Sequence, residues 1–175
     1  MVETIDMNNK TIYTIDKLFA SDWRWIYAIY CKGIATGQAT FETKPPTWKQ
    51  WDDNHLSICR FVVRSRNKVI AWAALSPISQ RKCYKGVAEI SLYVDTSYRG
   101  QGVGKILMRA LIEESERCAI WTLQGSTFPE NTGSLHLQKI FGFRSVGRRK
   151  LIACHYGVWR DTIIMERRSN IAGIN

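Results

Sequence analysis

The sequence predicts a mixed α+β or α/β domain organised around one sheet, and three observations support this. The chain has 175 residues, 45% of them hydrophobic, which is enough to build one well-buried core. Segments with helical periodicity alternate with segments that have the character of strands. No repeat, low-complexity tract or linker divides residues 1–175, so we expect a single domain.

The first half of the chain opens with helical patterns. Residues 22–31 repeat large apolar side chains at helical spacing, which predicts an early helix with one buried side. Residues 33–46 contain glycines and a Pro-Pro pair, which is typical of a loop. A second, short helix is predicted over residues 47–54, with Thr47 as its N-cap.

Three strands are predicted next. An apolar run within residues 56–65 indicates the first, and a short turn leads into the second at residues 69–76. Pro77 should end the second strand, because proline cannot donate to the ladder. Residues 87–94 alternate apolar even-numbered side chains with mostly polar odd-numbered ones, which predicts a strand with two distinct faces.

The second half of the chain alternates helices and strands. Its most regular segment repeats apolar residues at helical spacing, and Gly142 is suited to cap the last helix. The predicted elements are, in order, a helix at 104–118, a strand at 119–123, a helix at 131–141 and a strand pair within 143–153 and 161–166.

Composition and charge restrict the class of function. The net charge of +10 indicates anionic partners, either nucleic acid or a phosphorylated or carboxylated small molecule. The five cysteines include no CxxC pair and the three histidines are far apart, so we expect neither a disulfide framework nor a metal site. No apolar run approaches the roughly 20 residues of a membrane span, and the N-terminus does not resemble a secretory signal, so we expect a cytoplasmic protein.

A glycine-rich turn follows the strand at 87–94. Residues 99–104 read RGQGVG, and glycines at alternate positions let backbone N–H groups approach an anion without interference from a Cβ. The N-terminus of the next helix adds partial positive charge, and Arg99 and Lys105 add formal charge. The pattern is neither GxGxxG nor a P-loop, and a tight connection without a ligand is the structural alternative. The turn therefore predicts a pyrophosphate site.

This turn and the strand before it resemble the acetyl-CoA motif of the GNAT superfamily of N-acetyltransferases. Residues 130–143, ENTGSLHLQKIFGF, resemble the second cofactor helix of that superfamily. Four further segments are similar to phosphinothricin acetyltransferases, and the last three of them most resemble the arsinothricin-type branch. These segments are residues 39–48, 76–94, 120–131 and 159–169.

The resemblance implies a GNAT-type fold, with a mostly antiparallel central sheet of about six to seven strands flanked by about four helices. It also implies acetyl-CoA as cosubstrate, with no metal. The strand backbone would hold the pantetheine arm, the turn would hold the pyrophosphate, and the later helix would contact the pantetheine or thiol end. The implied cofactor-binding residues are Leu92, Tyr93, Val94, Arg99, Gly100, Gln101, Gly102, Val103, Gly104, Lys105, Asn131 and Ser134.

The same resemblance implies a substrate site. Glu89 occupies the position of the glutamate that serves as base, and an ammonium must lose a proton before it can attack a thioester. Arg81 and Tyr84 match substrate-contacting positions, and a guanidinium suits carboxylate, phosphinate or arsonate groups. Phe41 matches a residue that packs over the substrate. Read without the family, these four residues would be a solvated glutamate, a surface arginine and two core aromatics.

One position departs from the family pattern. Gln138 stands where many phosphinothricin acetyltransferases carry a histidine and other GNAT enzymes carry a tyrosine that acts as general acid. Glutamine cannot give up a proton at neutral pH, so we expect the reaction to be slowed or retuned. His136 lies two residues earlier, about 200° around the helix, and is not expected to substitute.

The expected function is direct transfer of acetyl from acetyl-CoA to the α-amino group of a small amino-acid-like substrate, such as phosphinothricin, arsinothricin, methionine sulfone or methionine sulfoximine. Glu89 would act as base through water, and a backbone N–H of the cofactor strand would stabilise the oxyanion. A CoA-binding protein with weak catalysis, a protein N-acetyltransferase and a nucleic-acid-binding domain remain alternatives. The sequence carries no nucleic-acid-binding motif or membrane segment, so neither partner is expected. The resemblance implies a homodimer.

Overall fold

The computed structural model describes residues 2–5 and 12–174 and contains eight strands and four α-helices within them. The strands are β1 (Val2–Ile5), β2 (Ile12–Lys17), β3 (Phe61–Ser65), β4 (Lys68–Pro77), β5 (Val87–Val94), β6 (Thr122–Thr127), β7 (Arg144–His155) and β8 (Val158–Arg168). The helices are α1 (Trp23–Ala35), α2 (Trp48–Asn54), α3 (Val103–Arg117) and α4 (Thr132–Ile140).

All eight strands join in one sheet, in the order β1-β2-β3-β4-β5-β6-β8-β7. Every neighbouring pair is antiparallel except β5 and β6, which are parallel because α3 crosses over between them. β5 stays paired with β4 through Val94, but it pairs with β6 only from Val87 to Glu89. The two central strands therefore diverge after Glu89, and the backbone of β5 beyond that point has no ladder partner on β6.

Hydrophobic side chains fill both faces of the sheet. Leu107 and Leu111 of α3 belong to a core that includes the even-numbered residues of β5. α1 and α2 cover the other face, where Trp51 packs edge-to-face on Trp72 of β4. From residue 69 to residue 75, β4 is at most 1% exposed. Because β4 is buried on both sides, it gives firm support to β5, its neighbour, at the point where β5 and β6 separate.

The fold class expected from the sequence is confirmed, with one strand more than expected. β5 and the short helix α2 with its Thr47 cap lie where they were predicted. The prediction of a strand at 119–123 was wrong, because Ala119 adopts a positive φ of 59° while closing α3 and the strand begins only at Thr122. β1 and β2 were not anticipated. No helix in the described parts of the chain is long and apolar enough to cross a membrane.

Candidate active site

A cleft of about 1040 Å³ opens where β5 and β6 diverge. Its walls are the free side of β5, the end of β6, the turn before α3, helix α4, the loop that follows α1, and the β7–β8 hairpin. The sequence-predicted residues that line it are Phe41, Glu89, Leu92, Tyr93, Val94, Arg99, Gly100, Gly102, Val103, Gly104, Lys105, Asn131, Ser134 and Gln138. Residues 89–105 and 125–138 thus line one cleft, because the parallel strands β5 and β6 separate after Glu89.

Two glycines of the glycine-rich turn adopt backbone conformations that suit glycine. Gly100 and Gly102 have φ angles of 74° and 81°, in the region that L side chains rarely adopt. Gly102 is the N-cap of α3, and its carbonyl accepts from the N–H groups of Lys105 and Ile106. The first N–H groups of a helix have no partner within it, so the start of α3 offers donors to the cleft. Arg99 lines the same end of the cleft.

Gln101 is the exception in this turn, because it does not line the cleft. Its side-chain oxygen accepts from the hydroxyl of Tyr13 at 2.7 Å, and its amide nitrogen donates to the carbonyl of Ser97 at 3.0 Å. Gln101 therefore ties the turn to β2, and its expected contact with the cofactor stays a prediction. Gly104 also has a structural task, since an added Cβ would lie 3.2 Å from Leu137 of α4.

Side chains of the diverging strand point to opposite faces. Leu92 and Val94 pack in the core beneath α3. Tyr93 stacks on Trp72 at 4.7 Å and meets Tyr30 edge-to-face at 4.9 Å. What these residues can offer to a ligand in the cleft is therefore mainly the unpaired backbone of β5, which agrees with the role that the resemblance implies for them.

Glu89 lies at the last residue pair before the strands separate, and its side chain is half-buried. Burial raises the pKa of its carboxyl above the usual range for glutamate. The backbone N–H of Ser126 donates to the carboxylate, and the guanidinium of Arg149 lies near enough to act electrostatically; both lower the pKa, but less than burial raises it. A carboxylate with a raised pKa is a stronger base than one in water.

Gln138 is buried at 1% exposure on the inner face of α4. Its amide nitrogen donates to the hydroxyls of Thr127 at 2.9 Å and of Ser134 at 3.0 Å. Its amide oxygen has no hydrogen-bond partner among the described residues and lies beside Gly125, where an added Cβ would be 2.5 Å away. Both donor hydrogens of Gln138 are thus committed to hydroxyls. His136 also borders the cleft, but it is exposed.

Asn131 and Phe41 join the loop after α1 to the rest of the site. The side chain of Asn131 accepts from the N–H of Ser134, which caps α4, and donates to the carbonyl of Gln38 at 3.1 Å. Phe41 packs on Phe128 at 4.7 Å between ring centroids. These contacts hold the loop, with its aromatic ring, against the open end of the cleft.

Arg81 and Tyr84 lie outside the cleft. β4 ends at Pro77, and the chain then makes an exposed turn in which both side chains are solvent-accessible. The guanidinium of Arg81 lies 5.7 Å from the ring of Tyr84. The structure does not bring this pair to the surface that carries Glu89, so their substrate contacts stay a prediction.

Arg149 is the functional candidate that sequence reasoning missed. It lines the cleft from β7, and its guanidinium donates to the hydroxyls of Ser126 at 3.2 Å and Thr162 at 3.4 Å. In the sequence it stands in the run Arg-Arg-Lys, which is typical of a solvated surface strand. The only local signal was the strand alternation that separates Arg148 from Arg149, and an irregularity in β7 obscures it.

Comparison with known proteins agrees with this geometry. Residues 14–143 match the model of the acetyltransferase (GNAT) family. A phosphinothricin N-acetyltransferase of Alcaligenes faecalis is 31% identical over 159 residues, which cover 83% of this chain and 77% of the relative. An L-methionine sulfoximine/L-methionine sulfone acetyltransferase of Salmonella typhimurium is 26% identical over 83 residues, about half of each chain.

A solved structure gives the same result. The GNAT superfamily phosphinothricin acetyltransferase from Sinorhizobium meliloti, crystallised in complex with AcCoA, superposes with a TM-score of 0.84. The two sequences are 26% identical, and the match covers 93% of this chain and 91% of the other. The chain described here therefore belongs to the GNAT family of acetyltransferases, on its phosphinothricin N-acetyltransferase-like branch.

Proposed function

We propose that the enzyme transfers acetyl from acetyl-CoA to the α-amino group of a small amino-acid-like substrate, with Glu89 as the base. The observation that carries this proposal is the position of Glu89, half-buried with a raised pKa at the point where β5 and β6 separate. The same cleft contains the glycine-rich turn at its other end. The cleft thus contains both a carboxylate that can accept a proton, on Glu89, and an anion site at the glycine-rich turn.

The residues of the cleft fit acetyl-CoA, which supplies the acetyl group as a thioester. Gly100 and Gly102 leave backbone N–H groups uncovered for a pyrophosphate, and Arg99 and Lys105 add positive charge beside them. The unpaired edge of β5 can hydrogen-bond an amide-rich arm. No metal is needed for any of these contacts.

Three groups of the chain divide the chemistry. Glu89 removes a proton from the substrate ammonium, directly or through a water molecule. A backbone N–H on the free edge of β5 stabilises negative charge on the carbonyl oxygen. Ser134 accepts from Gln138, so its own hydroxyl can donate a hydrogen bond to the departing thiolate, which takes its proton from the ammonium nitrogen of the tetrahedral intermediate. In this proposal Gln138 acts by orienting Ser134, in place of donating a proton itself.

The names of the relatives support the substrate class. Relatives named for phosphinothricin and for methionine sulfoximine or sulfone act on compounds that share an α-amino-acid end and differ at the distal end. Phosphinothricin, arsinothricin and the methionine derivatives are therefore the first compounds to test. Because Gln138 replaces the usual acid, a CoA-binding protein with weak catalysis is the second candidate; a protein or peptide N-acetyltransferase is the third.

We also propose that the enzyme is a homodimer. β7 lies at the edge of the sheet, and the β7–β8 hairpin exposes several large apolar side chains, a pattern that marks protein interfaces. These side chains are Val146, Leu151, Ile152, Tyr156, Val158 and Trp159.

The test is release of CoA thiol from acetyl-CoA with phosphinothricin, arsinothricin, methionine sulfone and a lysine peptide. We expect turnover with the small amino acids and a loss of at least about 100-fold in kcat/KM for Glu89→Gln. Glu113→Gln, on the exposed face of α3, is the matched control and should retain full activity. Turnover only with the peptide would contradict the substrate class, and full activity of Glu89→Gln would contradict the role of the base.

A further inference from the structure

We propose that Arg149 binds the α-carboxylate of the substrate, so that the enzyme requires an amino acid with a free carboxylate. This inference rests on the proposed function and extends it to the chemistry of substrate recognition. It concerns a residue that the sequence did not single out.

Among the described residues, Arg149 makes no ion pair within 4 Å, although its charge is near enough to Glu89 to lower the pKa of that carboxyl. Seven other arginines make ion pairs within 4 Å; these are Arg60, Arg64, Arg117, Arg144, Arg148, Arg160 and Arg167. Within the described residues, the guanidinium of Arg149 contacts only the neutral hydroxyls of Ser126 and Thr162. A guanidinium has five N–H donors, so Arg149 keeps donors and a full positive charge for an anion in the cleft.

Ser126 connects this charge to the base. Its backbone N–H donates to the carboxylate of Glu89, and its hydroxyl accepts from Arg149. The α-amino and α-carboxyl groups of an amino acid are attached to one carbon. A base and a guanidinium on either side of one residue therefore match the two groups that every α-amino acid carries side by side.

Arg149 lines the cleft from a regular position of β7, paired with Thr162 of β8, and an irregularity in the strand follows directly after it. Pairing with β8 slips between Arg149–Thr162 and Ala153–Arg160, so three residues of β7 lie opposite Asp161 alone. Leu151, within this bulge, has a φ of 48°. Asp161 accepts from the backbone N–H of Leu151 at 2.7 Å and from Arg148 at 2.5 Å. Asp161 therefore neutralises Arg148, whereas Arg149 has no ion-pair partner within 4 Å in the part of the chain that the structure describes.

The shared end of the substrate is the better candidate for Arg149 than the distal end. The distal groups in the names of the relatives differ in charge, since a phosphinate is anionic and a sulfone is neutral. A cationic site adjacent to the base serves both only if it binds the carboxylate that both contain.

The experiment compares L-methionine sulfone with its α-carboxamide as acetyl acceptors for the wild type, Arg149→Met, Arg149→Lys and the control Arg148→Met. For the wild type we expect kcat/KM to favour the free acid by about 100-fold. Measured at a pH above the step caused by Glu89, Arg149→Met should lose about that factor for the acid, mainly through KM, and should leave the amide unchanged. Arg149→Lys should recover part of the loss, and Arg148→Met should keep the preference of the wild type.

Two results would overturn the assignment: equal use of acid and amide by the wild type, or equal losses for both acceptors in Arg149→Met. Calorimetric binding of the same acid and amide to the enzyme with CoA gives a readout that needs no turnover. There, preference for the acid in the wild type and its disappearance in Arg149→Met support the assignment, and absence of either contradicts it. Failure of the proposed function looks different, because no amine would then be acetylated even where the acid binds through Arg149.

Discussion

Three effects set the pKa of the Glu89 carboxyl. Burial raises this pKa, whereas the N–H of Ser126 and the charge of Arg149 lower it by smaller amounts. A carboxyl with a raised pKa in the fold costs stability once the pH rises through that pKa. Glu89→Gln should therefore fold at least as well as the wild type at neutral pH, and its lost activity should not reflect unfolding.

The pH dependence of catalysis follows from the same balance. Glu89 must be deprotonated to act as base, so kcat/KM should rise with pH through a step that lies above the ordinary glutamate pKa of about 4.3. Arg149→Met removes a group that lowers this pKa, so its step should move to higher pH. A pH–rate profile of each protein measures the pH of this step in the wild type and in Arg149→Met. A step that stays at the same pH in Arg149→Met would contradict the electrostatic link between the two residues.

Helix α4 acts as a unit in the proposed chemistry. Ser134 and Gln138 stand one turn apart, and the second holds the first by a 3.0 Å hydrogen bond. The side chain of Gln138 reaches so close to β6 that a Cβ added at Gly125 would lie 2.5 Å from its amide oxygen. Close packing of two elements thus orients one hydroxyl towards the cleft.

Ser134→Ala tests this role of α4. Removing the hydroxyl should lower kcat by about 10- to 100-fold, with a smaller change in KM, because the donor is needed most as charge develops on sulfur. Steady-state kinetics with saturating acetyl-CoA measures the effect. Ser57→Ala, at an exposed site near α2, is the control and should behave as the wild type. An unchanged kcat in Ser134→Ala would remove the serine from the mechanism.

The elements also explain what could be predicted from the sequence. Residues 87–94 carry a clean alternation of side chains, and β5 forms over that range. The glycine-rich turn was predicted to lead directly into a helix, and α3 begins at Val103 within it. The proposed substrate site was less accessible to prediction, because the pairing of β7 is irregular on both sides of Arg149 and alternation alone does not show which face its side chain takes. One of these irregularities is the bulge at residues 150–152. Such a bulge depends on Asp161 in the partner strand, which no local pattern of β7 reveals.

At the scale of the whole molecule, the sheet ends at β7, and this edge exposes large apolar side chains. The hairpin at that edge exposes Trp159 and Leu151, each by 60%. If it forms the dimer interface, wild-type enzyme should sediment at twice the chain mass, and Trp159→Glu should sediment as a monomer. Phe19→Glu is a matched control, since Phe19 is 58% exposed but lies far from β7 in the strand order. A monomeric wild type would contradict the proposed dimer.

The central claim is that Glu89 activates the amine of a free amino acid, and one measurement tests it most directly. It is the rate of thiol release from acetyl-CoA with L-methionine sulfone, compared between the wild type and Glu89→Gln near neutral pH. The account predicts turnover by the wild type and a loss of at least about 100-fold in kcat/KM in the variant, with no loss of thermal stability. Equal rates in the two proteins would contradict it.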